Sequence, residues 1–311
     1  MRSGRMLFFL KILISSALLA LLWNRVDFYK LQKAFAACSL WVILAGNIIH
    51  ALAFGINVLK WRLFLPGYPL SDLFRYNLIS KFYSLILPGQ FSGDIVKAVV
   101  ASPHRYTREH LTASIFYDKL SGLAGMLLLS FIAILLSSIA IPPMAIAVVA
   151  VFFVGVVVTM MYGSSIPLVM VKWHQRSPIR PFPFLLTITK FLEKSARAYP
   201  VKEKRLIYSI ILGILYQLVG ASVVYWIARD IGVLVPIWDW FWILGGLSII
   251  LLIPVTIAGL GVRECGLIGI LSLFSIPAEK AIVLSLIILG LQVFLALIGL
   301  CVEGKRIIER T

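Results

Sequence analysis

The sequence predicts an all-α polytopic membrane protein with about six full spans and two opposed re-entrant hairpins of broken helix. Three observations lead to this fold class. Of the 311 residues, 61% are hydrophobic, whereas a soluble domain has roughly 45–50% apolar residues. Eight hydrophobic segments follow one another, several of them reaching the ~20 residues that cross a bilayer. Two of these segments are interrupted by proline and glycine. The segments are 7–23, 40–59, 76–100, 111–137, 144–171, 206–228, 241–275 and 281–302.

The first segment, 7–23, follows the basic residues Arg2 and Arg5. No small-residue cleavage site comes after it, so a retained span is favoured over a signal peptide. The longest polar stretch, 172–205, separates the fifth and sixth segments and holds nine basic residues against two acidic ones. Part of it, about 184–198, is predicted to form an amphipathic helix on the inner membrane surface.

Loop charge orients the chain, because cytoplasmic loops carry an excess of lysine and arginine. The basic loops 60–75, 101–110 and 172–205 are therefore expected in the cytoplasm, together with both termini. The connections 138–143 and 229–240 have no excess of positive charge and are expected outside. The connection 24–39 must also lie outside, although it contains Arg25, Lys30 and Lys33.

Two segments are predicted to enter the membrane and return. Segment 76–100 has basic loops on both sides, and segment 241–275 is too long for one span. Proline and glycine break the helix in both, which is tolerated at membrane depth only where protein or a water-filled cavity receives the backbone. The predicted hinge residues are Pro88, Gly89 and Gly93 in the first hairpin and Pro254, Gly259 and Gly261 in the second.

These assignments make the two halves of the chain mirror images in topology. One domain, 1–311, would contain the pseudo-repeats 1–138 and 144–303. Inverted repeats with opposed broken helices are a recurring plan of transporters, whose site lies near the membrane midplane between the repeats.

Charged residues inside a membrane are rare and indicate a functional site by default. The predicted substrate-binding residues form three pairs. They are Asp94 with Lys97, Asp118 with Lys119, and Arg263 with Glu264. For each pair an alternative stays open. Asp94 and Lys97 could form a structural ion pair at the first hairpin, and Asp118 and Lys119 could reach the cytoplasmic interface. Arg263 could form an internal clamp with a carboxylate.

Other classes of function receive no support from the sequence. The net charge of +16 is explained by the basic loops, and no nucleic-acid motif is present. Cys38, Cys265 and Cys301 have no spacing that indicates a metal site or a disulfide framework. No motif of a hydrolase, zinc protease or nucleotide-binding loop occurs. We therefore expect no cofactor, no metal and no catalytic residue.

Three blocks of the sequence resemble the transmembrane region of lysylphosphatidylglycerol synthases, a flippase-like family. The blocks are Leu87-Pro88-Gly89-Gln90-Phe91-Ser92-Gly93-Asp94 with Lys97, Ala113-Ser114-Ile115-Phe116-Tyr117-Asp118-Lys119-Leu120-Ser121-Gly122, and Pro254 with Gly259-Leu260-Gly261-Val262-Arg263-Glu264. The resemblance covers nearly the whole chain. The family often has arginine where this chain has Lys97 and Lys119, and lysine binds phosphate as a point charge rather than a fork.

The resemblance implies a multi-pass protein of the cytoplasmic membrane that moves lipids between leaflets. The chain ends at Thr311, so it is expected to lack the soluble aminoacyltransferase domain of the bifunctional members. The expected partners are membrane lipids, in particular anionic ones, and a homodimer is open. Two alternatives remain: a membrane platform for a separate lipid-modifying transferase, and a structural membrane protein without transport activity.

Overall fold

The structure is a computed structural model that describes residues 15–16, 27–87, 92–101, 106–162, 203–251, 256 and 259–308. Within these ranges the longer regular elements are ten helices, and no strand occurs. They are α1 (Phe28–Ala36), α2 (Leu40–Arg62), α3 (Leu70–Ile86), α4 (Ser92–Val100), α5 (Arg108–Leu135), α6 (Pro143–Tyr162), α7 (Glu203–Asp230), α8 (Ile237–Leu251), α9 (Val262–Ser272) and α10 (Ala278–Ile308). The all-helical class is confirmed.

Five of the described helices are long and apolar enough to cross a membrane: α2, α5, α6, α7 and α10. They correspond to five of the six segments predicted to cross fully. The sixth, 7–23, lies outside the described residues except for 15–16. A polytopic membrane protein is therefore supported, while the total number of spans stays a prediction.

The two interrupted segments each form a pair of shorter helices. The first contains α3 and α4, with 17 and 9 residues, and the second contains α8 and α9, with 15 and 11 residues. At 1.5 Å per residue even the longest measures about 26 Å, less than the ~30 Å of a hydrocarbon core. The predicted hinges Pro88, Gly89 and Pro254 lie outside the described residues.

Hydrogen bonds join several connections at one end of the bundle, here called the Asp230 end. The backbone N–H of Ser39 donates to Asp230 Oδ2 at 2.6 Å, which ties the start of α2 to the end of α7. The Lys280 ammonium donates to the Gly232 carbonyl at 2.8 Å, so the start of α10 lies here too. These contacts bring together the connections 24–39 and 229–240, which are both expected on the outer side, and the start of α10.

The opposite end, here called the Tyr106 end, is one helix length away, about 34 Å along the 23 residues of α2. Here the Tyr106 hydroxyl donates to the Pro66 carbonyl at 2.5 Å, and its ring stacks on Tyr68 with centroids 6.5 Å apart. The loops before α3 and after α4 therefore touch. This contact is expected if α3 and α4 enter and leave at the same side, although the sidedness itself stays a prediction.

The packing of the helices follows the division into two halves. Helix α2 of the first half packs on α7 of the second. Helix α3, which opens the first interrupted segment, packs on α10, and α8, which opens the second, packs on α5. The pattern is symmetric: if each helix is replaced by its counterpart in the other half, α2 by α7, α3 by α8 and α5 by α10, the same pairs result.

Two connections differ from the sequence-based expectation. The loop predicted at 60–75 is only 63–69, because α2 continues to Arg62 and α3 begins at Leu70. Lys60 is consequently a buried helical residue and not a loop residue. The connection 24–39 contains helix α1, which the Asp27 carboxylate caps. The amphipathic helix predicted at 184–198 lies outside the described residues.

Candidate functional site: a lysine-lined cavity beside an apolar groove

A polar cavity of about 250 Å³ lies inside the bundle, between the helices of the two halves. It is lined from six helices, α2, α3, α4, α5, α7 and α8, so both interrupted segments contribute to its wall. The charged lining residues are Lys60, Lys81, Asp94, Lys97, Asp118 and Lys119; the uncharged polar ones are Asn57, Asn77, Ser80, Ser84, Tyr216, Gln217 and Ser248. Four of the six predicted substrate-binding residues, Asp94, Lys97, Asp118 and Lys119, are brought together here.

Asp118 is the central carboxylate of this cluster. Its Oδ1 lies 3.4 Å from the Lys60 ammonium and its Oδ2 lies 3.9 Å from the Lys97 ammonium. Lys60 also donates to the Asp118 backbone carbonyl at 2.7 Å. All three side chains are at most 8% exposed. Because isolated buried charges are strongly unfavourable, this carboxylate is needed to hold the two lysines inside the bundle.

Lys97 is held by three kinds of group. Its ammonium donates to Asn77 Oδ1 at 2.9 Å and lies 3.6 Å from the centroid of the Trp61 ring. A cation over an indole face is attracted by the negative face of the ring. Trp61 is itself fixed, because its Nε1–H donates to Ser114 Oγ at 3.0 Å. The prediction that Lys97 belongs to a polar site is consistent with this position, but its partner Asp118 lies on α5 and not on its own helix.

Asp94 and Lys119 form a second, more accessible ion pair. Lys119 Nζ lies 2.9 Å from Asp94 Oδ2, and the side chains are 39% and 22% exposed respectively. The sequence paired Asp94 with Lys97 and Asp118 with Lys119. The structure instead places each carboxylate against a lysine of the other block, because α4 and α5 pack side by side.

An apolar groove adjoins the cavity at this ion pair. It has a volume of about 540 Å³ and runs between α4 and α5. Asp94, Lys119 and Leu123 line both the cavity and the groove. The remaining groove residues are Ile95, Ala98, Val99, Arg108, Thr112, Ile115, Phe116 and Leu120. The Asp94–Lys119 pair therefore lies at the boundary between the polar cavity and the apolar groove.

Gly93 permits the close packing of α3 and α4 that forms one wall of the cavity. A Cβ atom at this position would overlap Ser84 Oγ and the Ser80 backbone carbonyl. Any other side chain would therefore have to push α4 away from α3. Gly93 was predicted as a hinge; in the described part of the hairpin its observed contribution is to let α4 pack closely against α3.

Arg263 and Glu264 do not line the cavity, although both are buried. Glu264 accepts hydrogen bonds from the Gly261 backbone N–H and from Ser285 Oγ, each at 2.6 Å. It thereby caps α9 and ties it to α10. Gly259 and Gly261 have φ values of +76° and +83°, a region that glycine enters without strain. Glu264 is thus engaged by the fold, and substrate binding by Arg263 and Glu264 stays a prediction.

Sequence reasoning missed Lys60 and Asn77 and left Lys81 without a role. In the sequence Lys60 resembles an exposed lysine at the cytoplasmic end of a span, and no local signal distinguishes such a residue from a buried lysine that lines a cavity. The polar stripe of α3 was visible, since Asn77, Ser80 and Ser84 recur at helical spacing. In an otherwise apolar segment such a stripe indicates a face turned toward a polar interior.

A comparison with known families identifies the family of the chain. The family described as lysylphosphatidylglycerol synthase TM region matches residues 8–299. The chain belongs to this family. Neither the curated proteins nor the solved structures gave a match.

Family membership covers nearly all of the chain, including both interrupted segments and the cavity between them. It indicates a multi-pass membrane protein whose function concerns membrane lipids. The sequence resemblance to this family is thereby confirmed. The specific activity is not given by membership.

Proposed function

We propose that this protein is a lipid translocator, which moves a lipid with an anionic headgroup between the two leaflets. The observation that carries the proposal is the polar, lysine-rich cavity inside an apolar bundle, with a groove for hydrocarbon directly beside it. A headgroup that crosses a membrane needs a polar path, because its transfer into hydrocarbon is strongly unfavourable. Its acyl chains need none and can stay in the lipid.

The position of the cavity supports this activity. Its wall is built from both halves of the chain, with α3 and α4 on one side and α8 contributing Ser248 on the other. In transporters with inverted repeats, rocking of the two repeats about a central site exposes that site to each side in turn. The helix pairs α2 with α7, α3 with α10 and α5 with α8 are related by this symmetry, and such an arrangement is compatible with a rocking movement.

The Asp94–Lys119 pair is proposed to act as the lateral contact through which the headgroup enters. Both side chains are partly exposed, and both face the cavity and the groove. An incoming phosphate can replace Asp94 as the partner of Lys119. The buried Asp118 cluster would keep the cavity positively charged throughout.

Leaflet-resolved transport of fluorescent phosphatidylglycerol in proteoliposomes tests the proposal. The protein should expose inner-leaflet probe to an impermeant quencher, and empty liposomes should not. Lys119→Gln should slow this movement at least about tenfold, since a lost charge contact near a low-dielectric wall outweighs a surface one. Lys30→Gln removes the same charge from a side chain that is 67% exposed, and should leave the rate unchanged.

No movement above that of empty liposomes, for any anionic or zwitterionic probe, would show that the protein is not a translocator. Equal rates for Lys119→Gln and Lys30→Gln would show that headgroups take another path.

A further inference from the structure

We infer that the cavity and the groove together bind one lipid whose headgroup is a phosphate monoester, carrying two negative charges, in preference to a phosphodiester carrying one. This inference rests on the proposed function, because it takes the cavity as the site of a lipid headgroup. It adds the chemical class of that headgroup and concerns binding rather than transport.

The charge of the cavity points to a dianion. Among the residues that the structure describes, its charged lining consists of four lysines and two aspartates, which leaves an excess of two positive charges. The sequence stretches 88–91 and 252–258 contain no charged residue. Buried charges are stable only when they are paired. A phosphate monoester has about −1.5 to −2 charges at neutral pH and matches this excess, while a phosphodiester leaves one lysine unmatched.

Hydrogen bonding agrees with the same class of ligand. A monoester presents three terminal oxygens, each a strong acceptor. Around the lysines the cavity offers hydroxyl and amide donors from α3 and α7, namely Ser80, Tyr216 and Gln217. A volume of 250 Å³ equals that of about eight liquid waters, which accommodates a phosphate and a few attached atoms.

The groove identifies the ligand as a lipid. It shares Asp94, Lys119 and Leu123 with the cavity, so a chain attached to the phosphate passes the ion pair and enters the groove. Ile95 and Val99 on α4 are about two-thirds exposed, with Ala98 between them, and they face Phe116 on α5 across the groove. This lining is predominantly apolar, as a hydrocarbon chain requires.

Binding of two lipids with the same acyl chains tests the inference, namely dioleoyl phosphatidate and dioleoyl phosphatidylglycerol. Titrations of the full-length protein in detergent, followed by native mass spectrometry, give both affinities. At pH 7.5 phosphatidate should bind at least about tenfold more tightly. The preference should shrink at pH 5, because the monoester loses its second charge with a pKa near 6. Equal affinities at pH 7.5, or a preference that does not change with pH, would overturn the inference.

Two variants probe the two compartments. Lys81→Gln removes one of the two excess charges, so it should reduce the preference for phosphatidate, whereas Lys30→Gln should preserve it. Ala98→Phe fills the groove, so it should weaken phosphatidate binding but not the binding of glycerol 3-phosphate, which has no chain. A preference unaffected by Lys81→Gln would place the phosphate elsewhere. If inorganic phosphate or glycerol 3-phosphate binds as tightly as phosphatidate, the ligand is a soluble phosphate and not a lipid.

The two assays distinguish failure of this inference from failure of the proposed function. Equal binding of the two lipids with intact leaflet transport would refute the monoester class alone. Selective phosphatidate binding without transport of any probe would support the site and refute translocation.

Discussion

At the level of single residues, the two aspartates of the cavity have different environments and therefore different roles. Asp118 is almost fully buried and neutralises Lys60 and Lys97, whereas Asp94 is partly exposed and pairs with Lys119 at the groove. Deleting one partner of a buried pair leaves an uncompensated charge, while an exposed pair contributes little to stability. Asp118 should hold the fold together and Asp94 should serve binding.

Neutral amides at the two positions separate these roles. Asp118→Asn should lower the free energy of unfolding by about 3–5 kcal/mol, because two buried lysines lose their counter-charge. Asp94→Asn should cost less than about 1 kcal/mol but change lipid binding and transport. Thermal unfolding in detergent and the proteoliposome assay measure the two effects. The double variant Asp118→Asn with Lys97→Met should regain part of the lost stability; equal unfolding temperatures for the two single variants would contradict this division.

At the level of helices, the hairpin of α3 and α4 is shaped by a close approach as well as by its break. Gly93 lies where a Cβ atom would meet the backbone of α3, and backbone cannot move aside as a flexible side chain can. The cavity residues Asp94 and Lys97 follow directly on the same helix. The spacing of α3 and α4 therefore determines whether these charges reach Lys119 and Asp118.

Gly93→Ala should consequently destabilise the protein by about 1–3 kcal/mol, as overpacking does. Because α4 must shift, lipid binding should weaken in the protein that remains folded. Gly155→Ala is the matched control, since a Cβ atom there meets nothing within 4 Å. Unfolding temperature and phosphatidate affinity should be measured for both variants. A Gly93→Ala protein that behaves like Gly155→Ala would show that the two helices do not need this contact.

For the whole molecule, the connections divide into two groups at opposite ends of the bundle. Ser39, Gly232 and Lys280 are joined at the Asp230 end, and Pro66 and Tyr106 at the Tyr106 end. Loop charge assigns the connection 229–240 to the outside and the loops 60–75 and 101–110 to the cytoplasm. The basic connection 24–39 is placed outside only by the alternation of the spans, and its hydrogen bond from Ser39 to Asp230 agrees with that placement independently of charge.

Single cysteines in a chain whose three native cysteines are replaced by alanine test this topology. Ser71→Cys in the first turn of α3 and Glu109→Cys in the first turn of α5 should both react with an impermeant maleimide from the cytoplasmic side only. Leu234→Cys, in an exposed loop of the Asp230 end, should react only from outside. Labelling of positions 71 and 109 from opposite sides would mean that the first interrupted segment crosses the membrane, and the inverted-repeat arrangement would then be wrong.

The sequence by itself determined the membrane class, the helical segments, the two interruptions and the family. These features depend on composition, segment length and short motifs, which are local properties of the chain. It also selected Asp94, Lys97, Asp118 and Lys119 as site residues, because charges are rare in apolar segments.

Only the tertiary structure decided which charges meet. Neighbours in sequence point in different directions on a helix, so Asp118 and Lys119 face different partners, Lys97 and Asp94 respectively. The burial of Lys60 and the junction of the cavity with the groove depend on how α2, α4 and α5 pack. Contacts between helices that are distant in sequence have no local signature, because they are set by side-chain packing over the whole bundle.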